Sequence, residues 1–298
     1  MELILEEYRN FLLNSKGCSQ NTTLSYLHDL TAFCSTMDND EDRICGADSD
    51  VLQSYLEKLK ASGKSNATLA RTIASLRCFY QFLGEMLSLG ANPADHIHID
   101  RTEKKLPNVL NAEEVNRLLS APDVSTPKGL RDRAILELIY ATGIRVSELC
   151  ALNVEDLDVD ASLLVCGGEN RRVIPVYRMA MEAVNTYLDR VRGRLIDAKD
   201  NALFTNLNGG RLTRQGFWKI VKQYAAEAGI KAELTPHTLR HSFGAHLIEN
   251  GADIADIQQM MGYAHPSSAA VYKKIADNKM KEAYNRYHPR AGGKKRKR

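Results

Sequence analysis

Apolar residues recur every three to four positions through the first hundred residues of the chain. Leu3, Ile4, Tyr8, Phe11 and Leu12 keep that spacing, which gathers them on one side of an α-helix, and Gly17 marks its stop. Ser19-Gln20-Asn21-Thr22 offers a cap for a second helix that carries Leu24, Leu27, Leu30 and Phe33. Residues 51–59 predict a third, closed by Ser62-Gly63, and Ser65-Asn66 caps a fourth with Leu69, Ile73, Leu76, Phe79, Tyr80 and Leu83. Four helices with one apolar stripe each predict a small bundle. Asn92-Pro93 ends this region, and the polar run from Asp100 to Pro107 has the marks of an exposed linker. The expected organisation is a helical unit over 1–100, a linker over 101–108 and a second unit over 109–298.

The second unit mixes periods. Asn111-Ala112-Glu113-Glu114 reads as a cap followed by early acids. A long apolar helix over 130–141 is broken by Thr142-Gly143, and Arg145 to Glu148 opens another turn. Alternation at 162–166 and 172–176 predicts two strands around Gly167-Gly168-Glu169-Asn170, a β-hairpin. Beyond Met179 the pattern is helical again, apart from an extended piece at 202–204. The fold class is therefore mainly α, with a small antiparallel β-sheet in the second unit.

Composition narrows the setting. The 298 residues suffice for two domains, and no run approaches the roughly 18 apolar residues of a membrane span. Glu2, Glu6 and Glu7 stand where a signal peptide carries bases, so a cytoplasmic protein is expected. Six cysteines are scattered without a C-x-x-C pair, which favours small buried residues over zinc or redox work. Net charge is only +3, but its distribution is uneven. Residues 1–100 hold 14 acids against 8 bases, which leaves 23 acids against 32 bases in the remainder. Residues 58–84 contain Lys58, Lys60, Lys64, Arg71 and Arg77 and no acid. A stripe of that kind either binds a polyanion or is a solvated helix face.

The chemistry concentrates in three places. Pro236-His237-Thr238-Leu239-Arg240-His241-Ser242-Phe243 sets a His and an Arg three apart, hence on one helix face. Arg145-Val146-Ser147-Glu148 sets a second Arg beside a carboxylate that can hold its orientation. Taken alone, Arg-x-x-Glu is usually a surface ion pair, a single His is more often a cap, and a single Tyr is more often core. Tyr272, some thirty residues after Arg240, adds a phenolic oxygen. Phosphate grip, proton manager and oxygen nucleophile together are the parts needed to break a phosphodiester.

At this point a resemblance is plain. Ala141-Thr142-Gly143-Ile144-Arg145-Val146-Ser147-Glu148-Leu149 resembles the first catalytic box of the tyrosine site-specific recombinases, and Thr235 to Phe243 resembles the second. Tyr272 and the ending Tyr284-Asn285-Arg286-Tyr287-His288-Pro289-Arg290-Ala291 are similar to the Xer-type subgroup, as are the 65–82 helix and Asn92-Pro93-Ala94. The resemblance implies that Arg145 and Arg240 hold the scissile phosphate, that Glu148 orients Arg145, and that His237 assists proton transfer. It implies that Tyr272 forms a 3′-phosphotyrosyl bond, with Tyr284 and Tyr287 in a trailing helix. It also implies chemistry without metal, ATP or other cofactor, on duplex DNA with inverted half-sites. The acting species would be a dimer to tetramer of this chain, or a heteromer with a related recombinase. Lys58, Lys64, Arg71 and Arg77 in the first unit, with Arg171 and Arg172 in the hairpin, are the expected DNA contacts.

Two positions depart from the family pattern. The hairpin Lys that protonates the leaving 5′-oxygen falls on Gly167, and the hairpin contains no Lys. Tyr263 occupies the slot nine residues before Tyr272 where the family has His or Trp, and His265 lies two residues on. Both departures point to slow cleavage, not to altered fold or DNA binding. A type IB topoisomerase and a DNA-binding protein that has lost cleavage are the alternatives. The terminal Lys294-Lys295-Arg296-Lys297-Arg298 predicts a tail that touches phosphates non-specifically.

Overall fold

The computed structural model describes residues 1–87, 91–99, 108–168, 171–195, 201–232, 234–263 and Tyr272. The chain divides into two compact units, Met1–Lys105 and Leu106–Arg298. Among the described residues, no helix is long and apolar enough to cross a membrane.

The first unit is built from α1 (Glu2–Asn10), α2 (Gln20–Ser35), α3 (Glu41–Cys45), α4 (Ser49–Ala61) and α5 (Asn66–Leu87). A π turn prolongs α1 through Ser15, and Gly17 reverses the chain at φ +61°. Ser19 caps α2 by accepting from the Thr22 N–H at 3.2 Å, and Asp48 caps α4 by accepting from Val51 at 2.9 Å. The short α3 was not expected. It rests on Asp40, whose carboxylate accepts from the N–H groups of Asp42 and Arg43. Tyr8, Leu12, Phe33, Leu52, Leu76 and Phe79 are buried in one core, each worth about 1.5–3 kcal/mol against exposure. The Tyr8 and Phe79 rings meet edge to face at 5.3 Å.

The second unit opens with α6 (Ala112–Ser120), started by a complete capping box between Asn111 and Glu114. Thr126 caps α7 (Pro127–Thr142), whose first residue is the proline that a first helical position tolerates best. Gly143 ends α7 in the left-handed region at φ +59°, and a Cβ there would lie 2.3 Å from the Phe243 ring. Only glycine fits on both counts. α8 (Val146–Ala151) follows at once. A three-stranded antiparallel sheet comes next, β1 (Leu157–Asp158), β2 (Leu163–Cys166) and β3 (Arg172–Pro175), in the order β1-β2-β3. The predicted hairpin is therefore present, with Cys166 opposite Arg172 and one short strand added. α9 (Arg178–Tyr187) packs along α7 and runs through a π turn into α10 (Gly193–Leu195). The extended piece at 202–204 forms isolated bridges, Asn153 to Ala202 and Thr205 to Arg211. α11 (Arg214–Glu227), α12 (Thr238–Glu249) and α13 (Ile254–Met261) follow among the described residues.

Candidate active site

Arg145 stands at the N-cap position of α8, where the turn folds Glu148 back onto it. One Glu148 oxygen accepts from the Arg145 backbone N–H at 2.6 Å, and the other accepts from Arg145 Nη1 at 3.1 Å. Main chain and guanidinium are thus fixed by one carboxylate. Burial alone would raise the Glu148 carboxyl, but hydrogen bonds from Arg172 and the Arg145 backbone, with the charges of both arginines, outweigh it and hold it below its ordinary range. The Arg145 side chain remains 41% exposed, so part of its donor fork faces solvent.

Arg240 lies in the first turn of α12 and is buried. Its Nη1 donates to the Gly143 carbonyl and its Nη2 to the Met261 carbonyl, the latter at 2.6 Å. Its guanidinium carbon sits 5.0 Å from the centroid of the Tyr263 ring, a cation–π contact. A guanidinium has five N–H donors, and those two bonds leave further donors for an anion. His237 is the N-cap residue of α12 by backbone position, yet its side chain makes no capping bond and is exposed. Partial desolvation by the surrounding protein, which its exposure to solvent does not abolish, and then the charges of Arg240 and Arg145 push its pKa below the ordinary histidine value. The imidazole is neutral near pH 7 and free to accept a proton.

Tyr272 is completely buried. Its hydroxyl lies 3.2 Å from Nδ1 of His241, and a Cβ on Gly244 would come within 2.6 Å of its ring. Glycine at 244 therefore makes the seat for the phenol. Burial, followed by the neighbouring Tyr263, drives the Tyr272 pKa well above the ordinary tyrosine value, so the hydroxyl is neutral in this arrangement. His241, one helical turn after His237, was not singled out from the sequence. The i,i+4 spacing could have found it, because both rings share one face of α12, with centroids 6.3 Å apart.

The expected DNA contacts divide. Lys58 and Lys64 are exposed at the end of α4 and just before α5, and Arg171 is exposed beside the hairpin. Arg71 and Arg77 are engaged within their own unit. Arg71 grips the buried Asp29 with two bonds of 2.8 and 2.7 Å, and Arg77 donates to the carbonyls of Ala94 and Ile97. Arg172 departs furthest from expectation. It is buried, and its two Nη atoms each donate to Glu148 at 2.9 Å. The reason is the strand alternation, which puts Arg172 on the inward face with Ile174 while Val173 faces out. Gly167 follows β2 at φ +110° and lines a cleft of about 760 Å³ with Glu148, Glu155, Asp156, Cys166 and Arg171. His265, Tyr284, Tyr287 and the basic tail lie outside the described residues.

Comparison with known proteins places the chain in a family. The phage integrase family matches residues 108–279, and the phage integrase N-terminal SAM-like domain matches residues 5–85. The tyrosine recombinase XerD of Oceanobacillus iheyensis is 42% identical over 300 residues, covering 98% of this chain and all of that protein. That of Staphylococcus haemolyticus is 41% identical over 295 residues, with the same coverage. Among solved structures, XerH recombinase bound to its difH substrate in a post-cleavage complex aligns at a TM-score of 0.76, with 20% identity over 94% of this chain and 84% of that one. A lambda integrase dimer on a core site aligns at 0.71, with 16% identity over 92% and 95% of the two chains. With one family model matching more than half of its length and full-length relatives near 40% identity, the chain belongs to the phage integrase family, as a tyrosine recombinase of Xer type.

Proposed function

We propose that this recombinase cleaves and rejoins duplex DNA through a covalent 3′-phosphotyrosyl bond to Tyr272, acting as a dimer or tetramer on inverted half-sites, alone or with a related recombinase. Arg145 and Arg240 take the non-bridging oxygens of the scissile phosphate and stabilise the charge of its five-coordinate transition state. The Tyr272 oxygen attacks phosphorus while the bond to the 5′-oxygen breaks. The phenol proton passes to a base, for which neutral His237 is suited, and the leaving oxygen takes a proton from an acid. Attack by a 5′-hydroxyl, from the same duplex or a second one, reverses the step. The phosphodiester bond energy is kept in the phosphotyrosyl link, so the balance needs no ATP.

The observation that supports this reading is the convergence of Arg145, Arg240 and Tyr263 on the turn that ends α13. Arg145 Nη2 donates to the Gly262 carbonyl at 3.1 Å, and Arg240 meets both the Met261 carbonyl and the Tyr263 ring. Arg240 is held by two neutral carbonyls, and Arg145 is held by the Gly262 carbonyl and by a Glu148 carboxylate that it shares with Arg172, so the paired guanidinium groups keep net positive charge for an anion. The Tyr272 hydroxyl, completely buried beside His241, must become accessible to reach such a phosphate. With Gly167 in place of the hairpin Lys, cleavage is slow, because the leaving 5′-oxygen lacks its acid.

The test begins with a duplex site recovered by selection from a random pool with the full chain. On a nicked suicide version of that site, Arg145→Ala and Arg240→Ala should each reduce covalent adduct by roughly 10²–10³ in rate, with binding nearly kept. Strand exchange between two such sites supports a recombinase. Relaxation of supercoils without exchange supports a type IB topoisomerase, and binding without adduct supports a protein that has lost cleavage.

A further inference from the structure

Three consecutive carbonyls at the end of α13 hold three different arginines. Met260 O accepts from Arg172 Nε at 2.7 Å, Met261 O from Arg240 Nη2 at 2.6 Å, and Gly262 O from Arg145 Nη2 at 3.1 Å. The last carbonyls of a helix have no intrahelical partner and carry the negative end of its dipole, so cations gather there. Arg145 and Arg240 keep donors for a phosphate. Arg172 does not serve that purpose: Nε is on Met260, and Nη1 and Nη2 are on the two oxygens of Glu148, with its side chain only 8% exposed.

Glu148 is consequently shared. Its oxygens accept two bonds from Arg145 and two from Arg172, which fills the roughly four acceptor sites of a carboxylate. Gly262 completes the arrangement. It adopts φ +62°, and a Cβ there would lie 2.9 Å from Cζ and Nη1 of Arg172. The turn has glycine because the Arg172 guanidinium lies directly beneath it.

We propose that Arg172 is a positioning residue for the phosphate clamp: it locks β3, the Glu148 carboxylate and the carbonyl end of α13 into one body, and so sets the aim of Arg145. The proposal rests on the reading of Arg145 as a phosphate ligand. A planar fork is required, since Lys cannot engage both Glu148 oxygens and Met260 at once. Without the fork, Glu148 can swing away with Arg145, and a misplacement near 1 Å costs roughly 100-fold in rate.

The test compares the full-length parent with Arg172→Gln, Arg172→Lys and Gly262→Ala, the last of which displaces the guanidinium while keeping the arginine. Adduct formation is read on the selected site with a bridging 5′-phosphorothiolate, which leaves without protonation. The expected result is a 10–100-fold loss in rate for all three, DNA Kd unchanged, and no further loss when Arg172→Gln is added to Arg145→Ala. In parallel, the Arg145 side-chain N–H resonances, assigned by their loss in Arg145→Ala, should broaden or shift in Arg172→Gln. A parental rate in the folded variants, or an equal loss with and without Arg145, would overturn the proposal while leaving the clamp intact. An Arg145→Ala variant as fast as the parent would instead sink the clamp reading. In that case, or if the parent forms no adduct, unchanged Arg145 resonances would overturn the positioning role, and shifted ones would uphold it.

Discussion

His237 and His241 set the pH response of the site. Both have their pKa lowered, chiefly by burial and then by neighbouring positive charge. A base whose folded pKa is depressed binds fewer protons than the unfolded chain as pH falls through the ordinary histidine value near 6.5. Their contribution to stability is therefore fully present above that pH and is lost progressively below it. Glu148, held below its ordinary range, loses its contribution only in the more acid range where carboxylates titrate. Urea midpoints measured from pH 7.5 down to 5.5 should fall for the parent and fall less for His241→Gln. Equal slopes for the two proteins would show that His241 is not held neutral. At this scale the sequence was legible where partners are local: Arg145 with Glu148, and His237 with Arg240, are three apart. It was not legible where partners are far apart in the chain. The His241 bond to Tyr272 spans 31 residues and the Arg172 bond to Met260 spans 88, and neither spacing has a periodic signature.

The hairpin shows what an element adds to its residues. β2 and β3 were readable from alternation, and the same alternation places Arg172 inward with Ile174; reading it as a DNA contact weighed its charge over its phase. The backbone at the position of the missing lysine is itself unusual. Gly167 sits at φ +110°, a region where an L side chain costs of order 1–3 kcal/mol, so Gly167→Lys carries a backbone penalty along with its amine. A small amine in solution has no such penalty, and the cleft of about 760 Å³ beside Gly167 has room for it. Millimolar methylamine should accelerate adduct formation on ordinary DNA, toward the roughly 10²–10⁴-fold that general acid catalysis supplies. It should leave the rate on a 5′-phosphorothiolate unchanged. No acceleration, or equal acceleration of both substrates, would mean that the cleft does not stand beside the leaving oxygen. The short α3 escaped the sequence reading for a different reason: five residues cannot establish a helical period, and its start depends on one Asp40 side chain.

Across the whole molecule, charge separates into two kinds of work. Lys58 and Lys64 are exposed, whereas Arg71 neutralises Asp29, which is only 6% exposed at its side chain. Lys58→Ala with Lys64→Ala should weaken binding to every DNA and lower the slope of log K against log salt by roughly one unit per lost phosphate contact. Melting should be nearly unchanged. Arg71→Ala should do the reverse, with a loss of roughly 1–3 kcal/mol in stability because a buried acceptor loses its donors, and an unaltered slope. A steep loss of slope from Arg71→Ala would return that residue to the DNA face. All of the proposed chemistry runs through Tyr272, whose buried phenol has to become the covalent link. Its most direct test is mass spectrometry of the DNA-linked peptide after the full chain has been trapped on the phosphorothiolate site. The nucleotide adduct should map to Tyr272, and Tyr272→Phe should abolish it while DNA binding persists. An adduct on Tyr284 or Tyr287, or one that survives Tyr272→Phe, would contradict it.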